Sequence, residues 1–321
     1  MKINWYVLKS GTLLEKSGPP RLPKGLRPGI GGTWFDVQDA SPEELRTFLT
    51  PLDLHPLQLA RCLDSVDNPG VVSYGKSVLM EYPAAFDQRS ADRAYLTILL
   101  RAPILVTARH GPMPALDELV QNLTGDKPPE VLHLPQLLYL ILDQFADLNV
   151  AAQIDIRDQS LRLTKSIATS PGKVSASELS GLRWQVENLV SLIEDQLYCI
   201  SSLNASDNEA LRDPHRKAFL QDLVSETEIA QRGVYRLESR INDLYSDYQV
   251  AGNDRVERRL RLLTIVSAIT LPLGLIAGLL GMNVGGLPGT TLRSGFLLVL
   301  VVMIAIVLLE YWYFKRQGWF D

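Results

Sequence analysis

A chain of 321 residues with a formal net charge of −4 has room for about two domains, and it carries no basic stripe or aromatic RNA-binding motif, which excludes a nucleic-acid binder. Its two cysteines, Cys62 and Cys199, lie far apart and match no CxxC or zinc-finger spacing. They exclude a disulfide framework and read as reduced thiols of a cytoplasmic domain.

The first residues, Met1 to Trp5, lead into a strand-like stretch rather than a long apolar h-region, so no signal peptide is expected. Ser41, Pro42 and Glu44 spell a helix start: serine caps, proline sits in the first turn without losing a needed donor, and the glutamate completes a capping box. Short apolar or alternating runs at 71–74, 77–82, 95–100 and 104–107, bounded by Gly, Pro or charge, predict strands. A long helix is predicted over 132–167. Residues 1–170 thus read as an α/β domain, with helices around a small sheet. No P-loop, GxSxG or HExxH occurs in it, so nothing supports a membrane-anchored enzyme or signalling scaffold.

Ser170, Pro171 and Gly172 break the chain before a second helical pattern. Leu182, Val186, Leu189, Ile193, Leu197 and Ile200 recur at three- and four-residue steps and form one apolar stripe. Asp213 and Pro214 predict a fresh helix start. From there Leu220, Val224, Thr227, Ala230, Val234, Leu237, Ile241, Leu244 and Tyr248 continue at the same spacing, and no proline intervenes before Pro272. A helix running unbroken from 214 to 280 would be roughly 100 Å long at 1.5 Å per residue. Its stripe must pack on other helices or other subunits, so 171–261 is expected to be a helical stalk. Asp243, Asp247 and Asp254 would make the interior of such a stalk attractive to cations, the alternative being a solvated charged face.

The region 262–321 is membrane-like. No charge occurs from 262 to 292, and the first apolar run, 262–280, supplies about 19 residues, enough to cross a hydrocarbon core of ~30 Å. A second run covers 295–309 and ends in Tyr311, Trp312, Tyr313 and Phe314, an interfacial aromatic belt, with Glu310 placed to reach the headgroups. Arg255, Arg258, Arg259 and Arg261 precede the first span, and Lys315 and Arg316 follow the second. Only Arg293 lies between the spans. The positive-inside bias therefore puts both termini in the cytoplasm and the connecting loop, 282–294, outside. Two spans cannot enclose a hydrated path alone, so several copies in a ring are expected. The first span suits its lining, because Thr264, Ser267, Leu271, Gly274, Gly278 and Gly281 put small or polar groups on one side. The second span, all Val, Leu and Ile, suits a lipid-facing helix.

At the end of the first span stands Gly281-Met282-Asn283. Together with 261–265, 271–273 and 276–278, and upstream with Trp34, Phe35, Asp36, Val37, Glu43, Glu44, Leu45 and 54–57, it resembles the CorA superfamily of divalent-cation channels and transporters. The loop 284–289 resembles the zinc-transporting ZntB branch, since it lacks the acidic residues usual in the magnesium branch. The resemblance implies a CorA-like funnel: a homopentamer in a bacterial inner membrane, with an α/β cytoplasmic domain, a long helical stalk and two transmembrane helices. It implies no enzyme activity and no cofactor. The ion carried would be Zn²⁺, with Cd²⁺, Ni²⁺ or Co²⁺ also passing, and the alternative is a magnesium or cobalt channel of the same fold. Five Asn283 side chains would ring the entrance and contact a hydrated cation through neutral amide oxygens, which bind weakly. By the same resemblance Leu260, Leu263 and Leu271 would fall at hydrophobic constrictions, and Glu257 would offer a carboxylate ring at the cytoplasmic end. His55, His110, His133 and His215 are scattered. His215, near Asp213, reads as a surface or capping residue with a regulatory zinc as the alternative, and His55 reads as structural.

Overall fold

The computed structural model describes residues 1–20, 22, 32–63, 68–86, 93–125, 130–131, 133–170, 172–211, 216–282 and 295–319. The strands are β1 Lys2–Lys9, β2 Thr12–Glu15, β3 Thr33–Gln38, β4 Gly70–Tyr74, β5 Ser77–Phe86, β6 Arg93–Arg101 and β7 Ile104–Arg109. The helices are α1 Pro42–Leu49, α2 Pro56–Leu63, α3 Pro114–Thr124, α4 Leu134–Thr169, α5 Ala176–Ala205, α6 Arg216–Leu280 and α7 Gly295–Arg316. The chain divides into two compact units: Met1–Ser166 with Val174–Leu244, and Ile167–Lys173 with Tyr245–Asp321.

The first unit is built on one seven-stranded sheet in the order β2-β1-β3-β7-β6-β5-β4, larger than the small sheet expected. Among the described residues only the β3–β7 pairing is parallel. The other neighbours are antiparallel and are joined where the sequence permits tight turns. Between β4 and β5, Gly75 takes φ +53, which a hairpin of two central residues requires.

Period-two alternation gives each strand two burial partners. On β5, Val78, Met80 and Tyr82 face a core shared with α3, α4, α5 and the start of α6, while Leu79 faces a second core shared with α1 and α2. The capping box of α1 forms as expected: Glu44 N donates to Ser41 Oγ at 3.3 Å, and Ser41 N donates to Glu44 Oε2 at 2.9 Å. A second box, Ser175 with Glu178, starts α5.

The stripes on α5 and α6 are buried much as their spacing predicts. Leu182, Val186, Leu189 and Ile193 meet Ala230, Val234, Leu237 and Ile241, with Ile156 of α4. One position differs: Leu197 is only half-buried, and Gln196 is buried in its place. The amide earns that position by hydrogen bonding, since Nε2 donates to Pro83 O at 2.8 Å and Oε1 accepts from Asn149 Nδ2 at 2.6 Å. The helix start expected at Asp213 and Pro214 lies outside the described residues, and α6 is helical from Arg216 through Pro272 to Leu280.

On the sheet face shared with α3 and α4 runs a buried polar chain. Trp34 Nε1 donates to Thr107 Oγ1 at 3.0 Å, and Thr107 Oγ1 donates to Asp36 Oδ1 at 3.0 Å. Arg109 Nη2 then bridges Asp36 Oδ2 at 2.9 Å and Asp117 Oδ1 at 2.5 Å. Asp36 and Arg109 are fully enclosed, so each charge depends on the other for compensation.

Candidate functional site

The span of α6 is where the sequence places the chemistry. Its basic approach is partly self-compensated: Glu257 Oε1 accepts from Arg261 Nη2 at 2.6 Å, one helical turn away. The glutamate expected to present a free carboxylate is thus half of an exposed ion pair, whose worth is only ~0–1 kcal/mol. Further along, Thr264 Oγ1 donates to Leu260 O at 2.9 Å and Thr270 Oγ1 to Val266 O at 2.7 Å. A threonine bonded back in this way has spent its donor and presents only oxygen lone pairs outward. An oxygen acceptor is what a cation or its hydration shell needs.

The helix has one covered face and one bare face. Arg261, Ile265, Ala268, Ile269, Pro272, Leu273 and Ile276 are half-buried or buried, with Ile265 only 6% exposed. Phe314 near the end of α7 is 7% exposed and packs edge-on against Tyr313 and tilted against Trp319. Gln317 and Trp319 bound a groove of about 330 Å³ with Glu257, Leu260, Arg261 and Thr264, so the end of α7 lies beside the start of the α6 span. The two apolar helices of this unit therefore run antiparallel.

The predicted lining residues occupy the other side. At ~100° per residue, Leu260, Thr264, Ser267, Leu271, Gly274 and Gly278 centre roughly 140° round the helix from the covered set. All six are exposed, Leu271 at 71%, and Leu263 is exposed beside them. A Cβ added at Gly274 or Gly278 would meet nothing within 4 Å. Among the described residues these glycines therefore serve no packing contact.

The motif residues close the helix. Gly281 N donates to Ala277 O at 2.9 Å, and a Cβ at Gly281 would lie 3.1 Å from that same oxygen. Met282 is exposed. Asn283, the loop 284–289 and Arg293 lie outside the described residues. On α7, Tyr311, Trp312 and Tyr313 are exposed as a belt requires, and Arg316 stacks 5.4 Å over Trp312. Glu310 departs from expectation: its Oε2 is buried, with no hydrogen-bond partner among the described residues, rather than presented to headgroups.

The remaining candidates do not assemble into a metal centre. Among the described residues no three His, Cys, Asp or Glu side chains converge to hold an ion. His55 stacks on Tyr74 with ring centroids 4.3 Å apart, and its Nδ1 accepts from Leu57 N at 3.3 Å, a structural role at the start of α2. His133 Nδ1 similarly accepts from Gln136 N at 3.3 Å. His215 lies outside the described residues, and Asp243, Asp247 and Asp254 are exposed on α6. Cys62 and Cys199 are free, buried thiols, as read. Burial pushes both up to about 12, so neither is a ready thiolate.

One polar site was not anticipated. Glu81 on β5 is 5% exposed and lines a cavity between the sheet and the α1–α2 layer. Its only signal in the sequence is a lone acid inside an apolar strand, at a position whose side faces a core.

Comparison with known proteins places these features in context. A family model described as CorA-like Mg2+ transporter protein matches residues 31–316. The chain is 25% identical to the putative metal ion transporter YfjQ of Bacillus subtilis (strain 168) over 296 residues, covering 90% of each. It is also 25% identical over 290 residues to the zinc transport protein ZntB of Yersinia enterocolitica, covering 89% of this chain and 83% of that one. The solved CorA magnesium transporter from Methanocaldococcus jannaschii shares the fold, with a TM-score of 0.78 at 18% identity over 99% of each chain.

Proposed function

This chain belongs to the CorA-like Mg2+ transporter protein family and is a membrane transporter of divalent cations, not an enzyme, and from that premise we propose that it carries Zn²⁺ and related divalent cations into the cell. In this reading α6 lines an axial path made by a ring of copies, five by the family resemblance. Residues 1–170 form the cytoplasmic α/β domain, 171–261 the stalk and 262–321 the membrane domain in a bacterial inner membrane. Both termini are cytoplasmic. Asn283 rings the outer entrance through outer-sphere contact with a hydrated ion. Leu260, Leu263 and Leu271 form the narrow apolar points, and α7 faces lipid.

The observation that carries the reading is the bare face of α6. It is apolar enough to sit in a membrane, yet Thr264, Ser267, Gly274 and Gly278 present acceptor oxygens or no side chain at all, and they are exposed among the described residues. Such a face is costly toward lipid and useful toward a path. Membrane potential alone would suffice for uptake, since two charges moved through 100 mV gain about 4.6 kcal/mol.

Zinc is favoured by the loop 284–289, Val-Gly-Gly-Leu-Pro-Gly, which holds no acid to concentrate Mg²⁺. Magnesium or cobalt is the second reading, and the family description and the named function of the CorA structure favour it. Purified protein in proteoliposomes separates the two. The expected result is Zn²⁺ influx exceeding Mg²⁺ influx, with Cd²⁺, Ni²⁺ and Co²⁺ also carried, and Asn283→Ala abolishing flux while the oligomer persists. Greater Mg²⁺ flux would overturn the zinc assignment, and normal flux in the Asn283 variant would remove that residue from the mechanism. Coupling to protons is a further part of this reading, and an imposed pH gradient that leaves Zn²⁺ influx unchanged would remove it.

A further inference from the structure

The cavity at Glu81 belongs to the first compact unit and has no part in the transport path. It measures about 280 Å³ and is lined by Glu81, Cys62, Leu45, Leu63, Ala108 and His110, among others. Thr97, directly across on β6, donates from Oγ1 to Glu81 Oε2 at 2.9 Å. The other oxygen, Oε1, is buried and has no hydrogen-bond partner among the described residues. Burying a carboxylate with one oxygen unanswered is costly unless a ligand answers it.

The two arginines near it have other partners. Arg61 on α2 donates from Nη2 to Asn68 O at 3.3 Å, and Arg93 on β6 pairs with Asp195 and Ser191 of α5. Cys62 on α2 is a buried thiol. Tyr95 of β6 and His110 after β7 complete the ring of titratable groups. Burial pushes Glu81 up to about 7, while the Thr97 hydrogen bond and the positive charge of Arg61 pull the other way. The carboxylate is therefore within reach of ionisation at neutral pH, and a positive ligand would complete it.

The cavity's size and shape select the ligand. At ~30 Å³ per water, it holds roughly nine waters' worth of volume, which suits a small organic molecule rather than a bare ion. The absence of three converging ligands among the described residues argues the same way. One deep acceptor beside Leu45, Leu63 and Ala108 matches a molecule with one cationic head and a short apolar body.

We propose that this cavity binds a small alkylammonium compound, its ammonium on the Glu81 carboxylate and its alkyl chain against Leu45, Leu63 and Ala108. The site stands whichever cation the protein transports.

The test uses the full-length protein in detergent, with calorimetric titration and thermal unfolding in n-butylammonium chloride, n-butanol and ZnCl₂. Butylammonium is expected to bind and raise Tm, and butanol to bind about tenfold more weakly or worse, because a charged hydrogen bond separates them. Glu81→Gln should erase that difference. Leu45→Trp, which fills the space, should abolish butylammonium binding while unfolding stays cooperative. Raising the pH through 7 should tighten butylammonium binding in the wild type and not in Glu81→Gln. Equal binding of alcohol and ammonium, or ammonium binding that survives Glu81→Gln, would overturn the proposal. So would Glu81-dependent binding of Zn²⁺ without binding of butylammonium, which would make this a metal site.

Discussion

Helices α4 and α7 are both long and apolar enough to cross a membrane, yet the chain treats them in opposite ways. In the most apolar window of α4, 39% of residues are buried inside the protein; in that of α7, none are. In α4 the apolar positions Leu137, Leu138, Ile141, Leu142 and Phe145 fill the core under the sheet, while polar residues such as Gln144 and Asp147 take the other side. In α7 apolar residues go all the way round and Phe314 alone is buried. Composition nominates a membrane helix, and what else the chain offers to cover it decides the matter. The second apolar stretch of α6 sits with α7, at 6% buried.

The sharpest way to break this comparison is to place one lysine in each helix. Leu142→Lys puts an unpaired charge at a site with no exposure, and the α/β unit should fail to fold, read as loss of soluble, protease-resistant material from that unit. Ile304→Lys lies mid-helix and about half exposed, so it should leave that unit intact. Its cost falls on membrane insertion instead, ~2.5–3.5 kcal/mol for a lysine at a helix centre, read as lost membrane fractionation. If both variants fail in the same assay, the two helices do not differ as described.

The enclosed Arg109–Asp36 pair tests the same contrast for charge. Arg109→Leu strands Asp36 in the core and should cost about 3–5 kcal/mol in denaturant unfolding. Arg261→Leu, which breaks the exposed pair with Glu257, should cost no more than ~1 kcal/mol. A double change, Arg109→Leu with Asp36→Leu, should recover much of the first loss.

Much of this was legible from periodicity. The strands β4 to β7, the stripes of α5 and α6 and both apolar spans follow from local spacing, because each needs only its own neighbours to be recognised. What escaped depends on distant partners. Gln196 is buried because Pro83 and Asn149 answer its amide, so a reading that assigns apolar residues to the inside picks Leu197 instead. Asp36 and Arg109 are 73 residues apart, and only the parallel β3–β7 pairing brings them together. Of the candidate site, the span and its small, polar side were readable. Which side the chain itself covers was not, since that is set by where α7 packs. Glu257 illustrates the limit in the other direction, its ion pair with Arg261 following from simple i, i+4 spacing that the resemblance to a pore pattern had overshadowed.

Titration separates the regions further. Glu81 has its folded pKa raised, from an ordinary carboxyl to about 7. The folded protein therefore keeps a proton that the unfolded chain has released between about pH 4.5 and 7. Stability contributed by this group is fully present at the acid end of that window, falls as pH rises through it, and levels off above pH 7, by up to about 3 kcal/mol. Glu81→Gln should flatten that part of the stability–pH curve when unfolding of the full chain is followed in detergent. A slope unchanged by the substitution would assign it to other groups.

The smallest effects come from two glycines on one helix, and they bear most directly on what covers α6. At Gly233, in the packed part, an added Cβ would lie 2.3 Å from Gln153 Oε1, whose Nε2 donates to Ala230 O at 3.0 Å. Gly233→Ala must displace that amide, so the ~1 kcal/mol gained from helix propensity is offset by a hydrogen bond of similar worth, and the net change in stability should be near zero or slightly negative. At Gly278 the added methyl meets nothing among the described residues, so the propensity gain is unopposed there. If neighbouring copies close on that face, the methyl instead meets a helix at close approach. Gly278→Ala should then shift the detergent-solubilised protein toward smaller assemblies in size-exclusion chromatography and slow cation flux, while unfolding of the α/β unit stays unchanged. An assembly state and flux equal to wild type would mean that the bare face of α6 is not where copies meet, and the ring would have to be built on another surface.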